Sequence, residues 1–322
     1  MKVVLLFPGQ GAQYVGMGAE LRSCDPAAAA IFEQASCALG FDLADVCEHG
    51  PADVLTRTLY AQPAVVATSL AALAALGHAL ERQGLLLDLL TVAGHSVGEL
   101  AAMAAAGAFD VASIMHLVAA RARAMERACL EVAGGMAAVL GLEAERVADA
   151  CRAAMSATGE TVEPANYNAP DQVVIAGTRR ALAAAAQELE RMGARRVLPL
   201  NVAGPFHTPL MRPAAVEFAG HLRSAEVRPP HTSIVLNGTG REATAPAALR
   251  AELAAQVAAP VQWARSMARC AELGVEAFIE VGPGQVLSGL ARRAARGVPT
   301  FNVQDEASLE ATLNGLTLRS VV

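Results

Sequence analysis

At 322 residues the chain is too long for one small core, so one large domain with an insertion, or two domains, is expected. An apolar share of 54% against 17% charged residues excludes a disordered chain. A net charge of −6 and 4% aromatic residues leave neither the basic balance nor the stacking rings that nucleic acid requires, and Lys2, the single lysine, excludes lysine Schiff-base or phosphate-loop chemistry elsewhere.

Lys2 to Phe7 reads as a short buried strand, and Pro8-Gly9-Gln10-Gly11 as a turn leading to a helix near 16–23. Helical patterns follow at 26–39, 51–58 and 62–83. Ala64 to Leu80 is apolar but largely alanine, interrupted by Thr68, Ser69 and His78, and is read as a buried helix and not a membrane span. An apolar run from Leu85 to Ala93 predicts a strand, and a helix follows from Ser96 to about Ala106. Gly107 ends that helix and Asp110 caps the next, which runs to about Cys129.

After Ala133-Gly134-Gly135 the pattern changes. Met136 to Leu140 predicts a strand, 143–157 a helix, Val162 to Asn168 and Gln172 to Ala176 two strands, 178–192 a helix and Arg195 to Leu200 a strand. That order is βαββαβ, the unit of ferredoxin-like domains. Beyond Pro213 helices resume, and the pattern predicts a strand at Thr232 to Leu236, helices at 246–257 and 261–273, a strand at Ala277 to Val281 and a helix at 286–296. The expected fold is therefore α/β. A larger α/β-hydrolase-like part with a short parallel sheet spans 1–130 and 201–322, and a ferredoxin-like part spans 131–200.

Gly94-His95-Ser96-Val97-Gly98 places a serine between two glycines, after a predicted strand and before a predicted helix. Such a turn exposes the hydroxyl beside the N–H groups of a helix start, which suits a nucleophile for an acyl carbonyl; the alternative is an ordinary turn. His95, next in sequence to Ser96, is expected to point its side chain elsewhere. His207 lies in a Gly- and Pro-rich loop after the last strand of the insert, where either a general base or a capping histidine fits. The six cysteines show no CxxC pair and no metal spacing with histidine, so no metal, reduced thiols and a cytoplasmic location are expected.

Together the segments FPGQGAQ (7–13), GHSVGE (94–99), RARAM (121–125), GPFHTPLM (204–211), APVQW (259–263) and EVGPG (280–284) resemble the malonyl-CoA:acyl-carrier-protein transacylases of fatty-acid and polyketide synthesis. NYNAPDQVVIAG (166–177) matches inside the insert. The resemblance implies Ser96 as nucleophile and His207 as base, in a dyad whose imidazole is held by main-chain oxygen at Gln256. It implies an oxyanion hole from the N–H groups of Val97 and Gln10, and Arg121 as the partner of a substrate carboxylate. Met125, Phe206 and Asn168 would line the acyl pocket. Val97 stands where many members carry leucine and Ala122 where glycine is common, and Phe206 resembles malonyl-selective members.

The implied reaction is a ping-pong transfer from malonyl-CoA to the phosphopantetheine thiol of an acyl carrier protein, with no bound cofactor, no membrane partner and a monomeric enzyme. Arg292, Arg293 and Arg296 are a candidate basic face for the carrier protein, or else a solvated helix. The rival reading is an acyl-carrier-protein acyl hydrolase on the same fold, with water replacing the second thiol.

Overall fold

The computed structural model describes residues 1–320. Strand β1 (Lys2–Phe7) is followed by helices α1 (Ala19–Cys24), α2 (Pro26–Leu39), α3 (Leu43–His49), α4 (Ala52–Thr56) and the long α5 (Thr58–Gln83). Strand β2 (Asp88–Gly94) then leads into α6 (Gly98–Ala105) and α7 (Val111–Glu131). Next come β3 (Gly134–Leu140), α8 (Ala144–Thr158), β4 (Val162–Ala169), β5 (Gln172–Thr178), α9 (Arg179–Arg191) and β6 (Arg196–Pro199). After a 3-10 turn at Pro209–Met211 the chain forms α10 (Arg212–Ser224), β7 (Ser233–Val235), β8 (Glu242–Ala243), α11 (Pro246–Gln256) and α12 (Trp263–Glu272). It closes with β9 (Ala277–Val281), α13 (Val286–Ala294), β10 (Thr300–Val303) and α14 (Glu306–Ser320).

Two sheets result. The larger has the order β10-β9-β1-β2-β7-β8 and is parallel except where β8 pairs antiparallel with β7. Its central strands read as continuous apolar runs because helices cover both faces. The period-2 alternation divides them cleanly: Val3, Leu5 and Phe7 enter one core with α2, α5 and α7, while Val4 and Leu6 enter another with Trp263, Met267, Leu287 and Leu290. Helix α5 is long and apolar enough to cross a bilayer, but 72% of its most apolar window is buried within the protein, so its hydrophobicity serves the first of these cores. Asp110 caps α7, its Oδ1 accepting from the Ser113 N–H at 2.8 Å.

The smaller sheet, β4-β5-β3-β6, is antiparallel throughout. Val139, Val173 and Ile175 face α8 and α9. The opposite face, with Met136, Ala138 and Val174, lines a cavity against the larger sheet. Backbone hydrogen bonds stitch the two units: the Tyr167 N–H donates to Val261 O at 2.8 Å, and the Val261 N–H to Ala165 O at 2.9 Å.

Four elements lie outside the sequence expectation. Helix α3 falls between two expected helices, and β8 is two residues long. Strand β10 adds an edge to the parallel sheet through β9, and α14 packs its Leu313 and Leu316 into the main core. Arg293, one of the three arginines of the candidate basic face, is exposed and bonds Asp171 in the turn between β4 and β5 and Gln172 at the start of β5, so it also ties the two sheets together.

Candidate active site

The parallel strands β1, β2 and β7 end side by side, Phe7 being in register with Gly94. Loops leaving the carboxyl ends of such strands are where α/β folds gather functional groups. Here they carry Gln10, Ser96 and Asn237. Ser96 has φ 53°, a left-handed conformation. The tight reversal leaves no room for side chains at its flanks: a Cβ on Gly94 would fall on the Gly98 carbonyl, and one on Gly98 on the Phe7 carbonyl. Asn237 pins the turn, its Oδ1 accepting from the Ser96 N–H at 2.7 Å and its Nδ2 donating to Gly94 O at 2.6 Å.

His207 is buried and also left-handed, with φ 60°. Its Nε2 lies 2.7 Å from Ser96 Oγ. Its Nδ1 faces two main-chain carbonyls, Gln256 O at 2.9 Å and Ala259 O at 3.2 Å. Carbonyls only accept, so Nδ1 carries the proton and Nε2 is left to accept from the serine hydroxyl. Burial, and then the cation of Arg121, push the imidazole down to about 3, which keeps the ring neutral.

Arg121, on α7, is wholly buried. Its Nη1 donates to Gln62 Oε1 at 2.7 Å, and its Nη2 to Gln256 Oε1 at 2.8 Å and to Ser96 Oγ at 3.2 Å. Among the described residues its Nε has no partner. Burial lowers its pKa to about 10, still cationic at neutral pH, with Glu99 opposing the shift. A buried guanidinium with an unmet N–H, next to a hydroxyl, is arranged to receive an anion.

A cavity of about 530 Å³ opens over these groups, lined by Gln10, His95, Ser96, Met125, Asn168, Phe206 and His207 among others. The N–H groups of Val97 and Gln10 have no acceptor among the described residues. His95 corrects the expectation that it points away: it lines the cavity, its Nε2 is 2.9 Å from Asn168 Oδ1, and its ring packs edge-on against Trp263. The left-handed turn at Ser96 is what brings both neighbours to the same cleft. Another hollow, of about 690 Å³, lies near α1, α2 and α3 around the Arg22–Glu48 pair and lacks any such constellation.

The family described as "Acyl transferase domain" matches residues 4–313. The malonyl CoA-acyl carrier protein transacylase of Salmonella typhimurium is 40% identical over 308 residues, covering 96% of this chain and 97% of that protein. The chain belongs to the malonyl-CoA:acyl-carrier-protein transacylase family. Among solved structures, the acyl-carrier-protein S-malonyltransferase of Burkholderia pseudomallei 1710b superposes with a TM-score of 0.91 at 38% identity, covering 98% of this chain and 100% of that one. A complex of a type II PKS acyl-carrier protein with its malonyl-transacylase (PlMCAT:AntF) also matches, with a TM-score of 0.91 at 35% identity over 98% of this chain and 100% of that one.

For this transacylase-family chain, the structure brings together every residue singled out by resemblance. Gln256 reaches His207 through its main-chain oxygen, while its side chain serves Arg121. Sequence reasoning missed Gln62, Asn237 and Glu99. Asn237 sits in an Asn-Gly turn, a pattern that signals only a turn. Gln62 and Glu99 lie inside helical patterns, where nothing in the spacing marks a polar residue as buried.

Proposed function

We propose that this chain transfers a malonyl group from malonyl-CoA to the phosphopantetheine thiol of an acyl carrier protein through an ester on Ser96. The observation that carries this reading is Arg121: a buried cation with an unmet N–H, 3.2 Å from Ser96 Oγ. Its carboxylate partner would have to arrive with the acyl group, and a malonyl group brings one.

In this reading His207 Nε2 takes the Ser96 proton as Oγ attacks the thioester carbon. The N–H groups of Val97 and Gln10 receive the developing oxyanion. The C–S bond breaks, the coenzyme A sulfur leaves with the proton from His207, and the malonyl ester stays with its carboxylate on Arg121. The carrier thiol then gives its proton to Nε2 and attacks the ester carbon, and Ser96 recovers the proton. Phe206, Met125 and Asn168 bound the acyl group. His207 works without a carboxylate partner because the carbonyls of Gln256 and Ala259 fix its tautomer.

The unit at 131–200 is read as a ferredoxin-like insertion in an α/β-hydrolase-like frame of 1–130 and 201–322. The β4-β5-β3-β6 order and the helices α8 and α9 on one face support this. The test is intact-mass detection of a malonyl adduct on Ser96 after malonyl-CoA, chased with holo acyl carrier protein or with buffer. Transfer to the carrier is expected; loss of the adduct to water alone at a comparable rate would make the protein an acyl hydrolase.

A further inference from the structure

Beneath the site lies a buried carboxyl pair to which the proposed mechanism assigns no step. Glu99, on the first turn of α6, is fully buried, and Glu252, one turn before Gln256 on α11, is nearly so. Both oxygens of Glu99 accept hydrogen bonds from groups that can only donate there: Oε1 from the Asn237 N–H at 2.8 Å and Oε2 from Gln256 Nε2 at 2.7 Å. The second proton of that same Gln256 Nε2 goes to Ser96 O at 2.7 Å, and Gln256 Oε1 accepts from Arg121 Nη2 at 2.8 Å. Glu252 Oε1 accepts from the Gly238 N–H at 2.7 Å.

A carboxamide has two faces, and nothing in its own shape decides which one meets Arg121. The two acceptors opposite Nε2, Ser96 O and the Glu99 carboxylate, decide it together. With Glu99 in place, the amide nitrogen must face Glu99 and Ser96, and the oxygen must face the guanidinium. If the amide were reversed, Nε2 would meet Arg121 donor to donor, and the cation would lose the contact that holds Nη2 beside Ser96. In its ionised form Glu99 also offsets part of the burial cost of the Arg121 guanidinium. Through the Asn237 N–H it braces the residue whose side chain pins the Ser96 turn.

We propose that Glu99 is a positioning residue for malonyl selectivity, acting through the Gln256 amide to set the place of Arg121. This rests on the transferase reading above. It concerns the side chain of Gln256 alone, because His207 is held by the Gln256 main chain. E99Q keeps one oxygen for the Asn237 N–H and turns an NH2 toward the Gln256 amide, so it weakens carboxylate recognition while the brace on the Ser96 turn, and with it the Ser96–His207 pair, stays in place.

The test compares E99Q with the unsubstituted enzyme in single-turnover acylation of Ser96 by malonyl-CoA and by acetyl-CoA. A glutamine at this position cannot accept from both Asn237 and Gln256. The kcat/KM for malonyl-CoA is expected to fall roughly 30-fold, while that for acetyl-CoA, which has no carboxylate to place, falls less than about threefold. An equal fall for both substrates, or none, overturns the proposal.

E252Q is the second variant and covers the case in which E99Q does not fold. It removes the neighbouring carboxylate and leaves both Glu99 hydrogen bonds in place. The charged groups facing Glu99 are Glu252 from α11 and Arg121 from α7; burial and then Glu252 push Glu99 well above the usual carboxylate range. Without Glu252, Glu99 keeps its charge to lower pH, so the malonyl-to-acetyl ratio persists further into acid than in the unsubstituted enzyme. The same pH course in both proteins overturns the proposal. Failure of the unsubstituted enzyme to take malonyl onto Ser96 would instead overturn the transferase reading itself.

Discussion

Ser96 and His207 are the two non-glycine residues with positive φ among the described residues, and their side chains meet at 2.7 Å. Each such backbone costs on the order of 1–3 kcal/mol and persists only where the surroundings over-determine it. Asn237 and the glycines at 94 and 98 do this for Ser96; the Gln256 and Ala259 carbonyls, which grip the ring, do it for His207. The strain is spent on pointing one hydroxyl at one nitrogen.

Replacing Ser96 with alanine removes the proposed point of attachment. No malonyl adduct is expected by intact mass after incubation with malonyl-CoA. H207A keeps the hydroxyl and loses the proton acceptor, so adduct formation slows by about 10²–10⁴. A malonyl adduct on S96A at the unsubstituted rate would place the nucleophile elsewhere.

Arg121→Ala removes the cation that lies beside Ser96. Hydrogen bonds to a charged group are worth about 1.5–3 kcal/mol each, so two lost contacts to a malonyl carboxylate lower kcat/KM by roughly 10² or more. Acetyl transfer, with no carboxylate to lose, holds or rises. Steady-state kinetics with both thioesters read this directly, and an unaltered preference removes Arg121 from substrate recognition.

The neutrality of His207 has two causes, burial first and the Arg121 cation second. A depressed pKa means the ring stays unprotonated as pH falls through the ordinary imidazole value of 6.5 toward about 3. Its proton-accepting form is thus full from pH 8 down to pH 5, and no acid limb in that window belongs to it. In R121Q the cation is gone and the pKa rises. Histidine side-chain NMR on ¹³C-labelled enzyme measures both. Titration of His207 near pH 6.5 in the unsubstituted protein would contradict the buried geometry.

Gly98→Ala is expected to unfold the protein at a markedly lower temperature. The added Cβ would strike the Phe7 carbonyl, which is main chain and cannot swing away. Overpacking of this kind typically costs about 1–3 kcal/mol and here also displaces the Ser96 turn. Thermal unfolding by circular dichroism reads the stability. Adduct formation reads the turn.

The sequence made the strands and most helices visible because their apolar periods are regular: Val3 to Phe7 enter two cores alternately, and Asp110 caps where an acid precedes a helix. The spacing Leu309, Leu313, Leu316 is the trace of α14, although Thr and Asn residues between them blur it. Ser96, His207 and Arg121 were legible only jointly, since each alone fits an ordinary turn, loop or helix face. Glu99, Gln62 and Asn237 were not legible. Their importance lies in which atom of a side chain meets which neighbour across 59 to 157 residues of chain, and one-dimensional spacing does not carry that.

The hydrogen bonds that join Tyr167 and Ala165 to Val261 are main-chain bonds, made whatever side chains those positions bear. The separation of the two sheets across the cleft is therefore insulated from mutational drift along that seam. What can drift is the lining. On the proposed reading, a lineage of this chain that came to take a bulkier acyl group would exchange Phe206 or Met125, which line the cavity, and keep this main-chain seam.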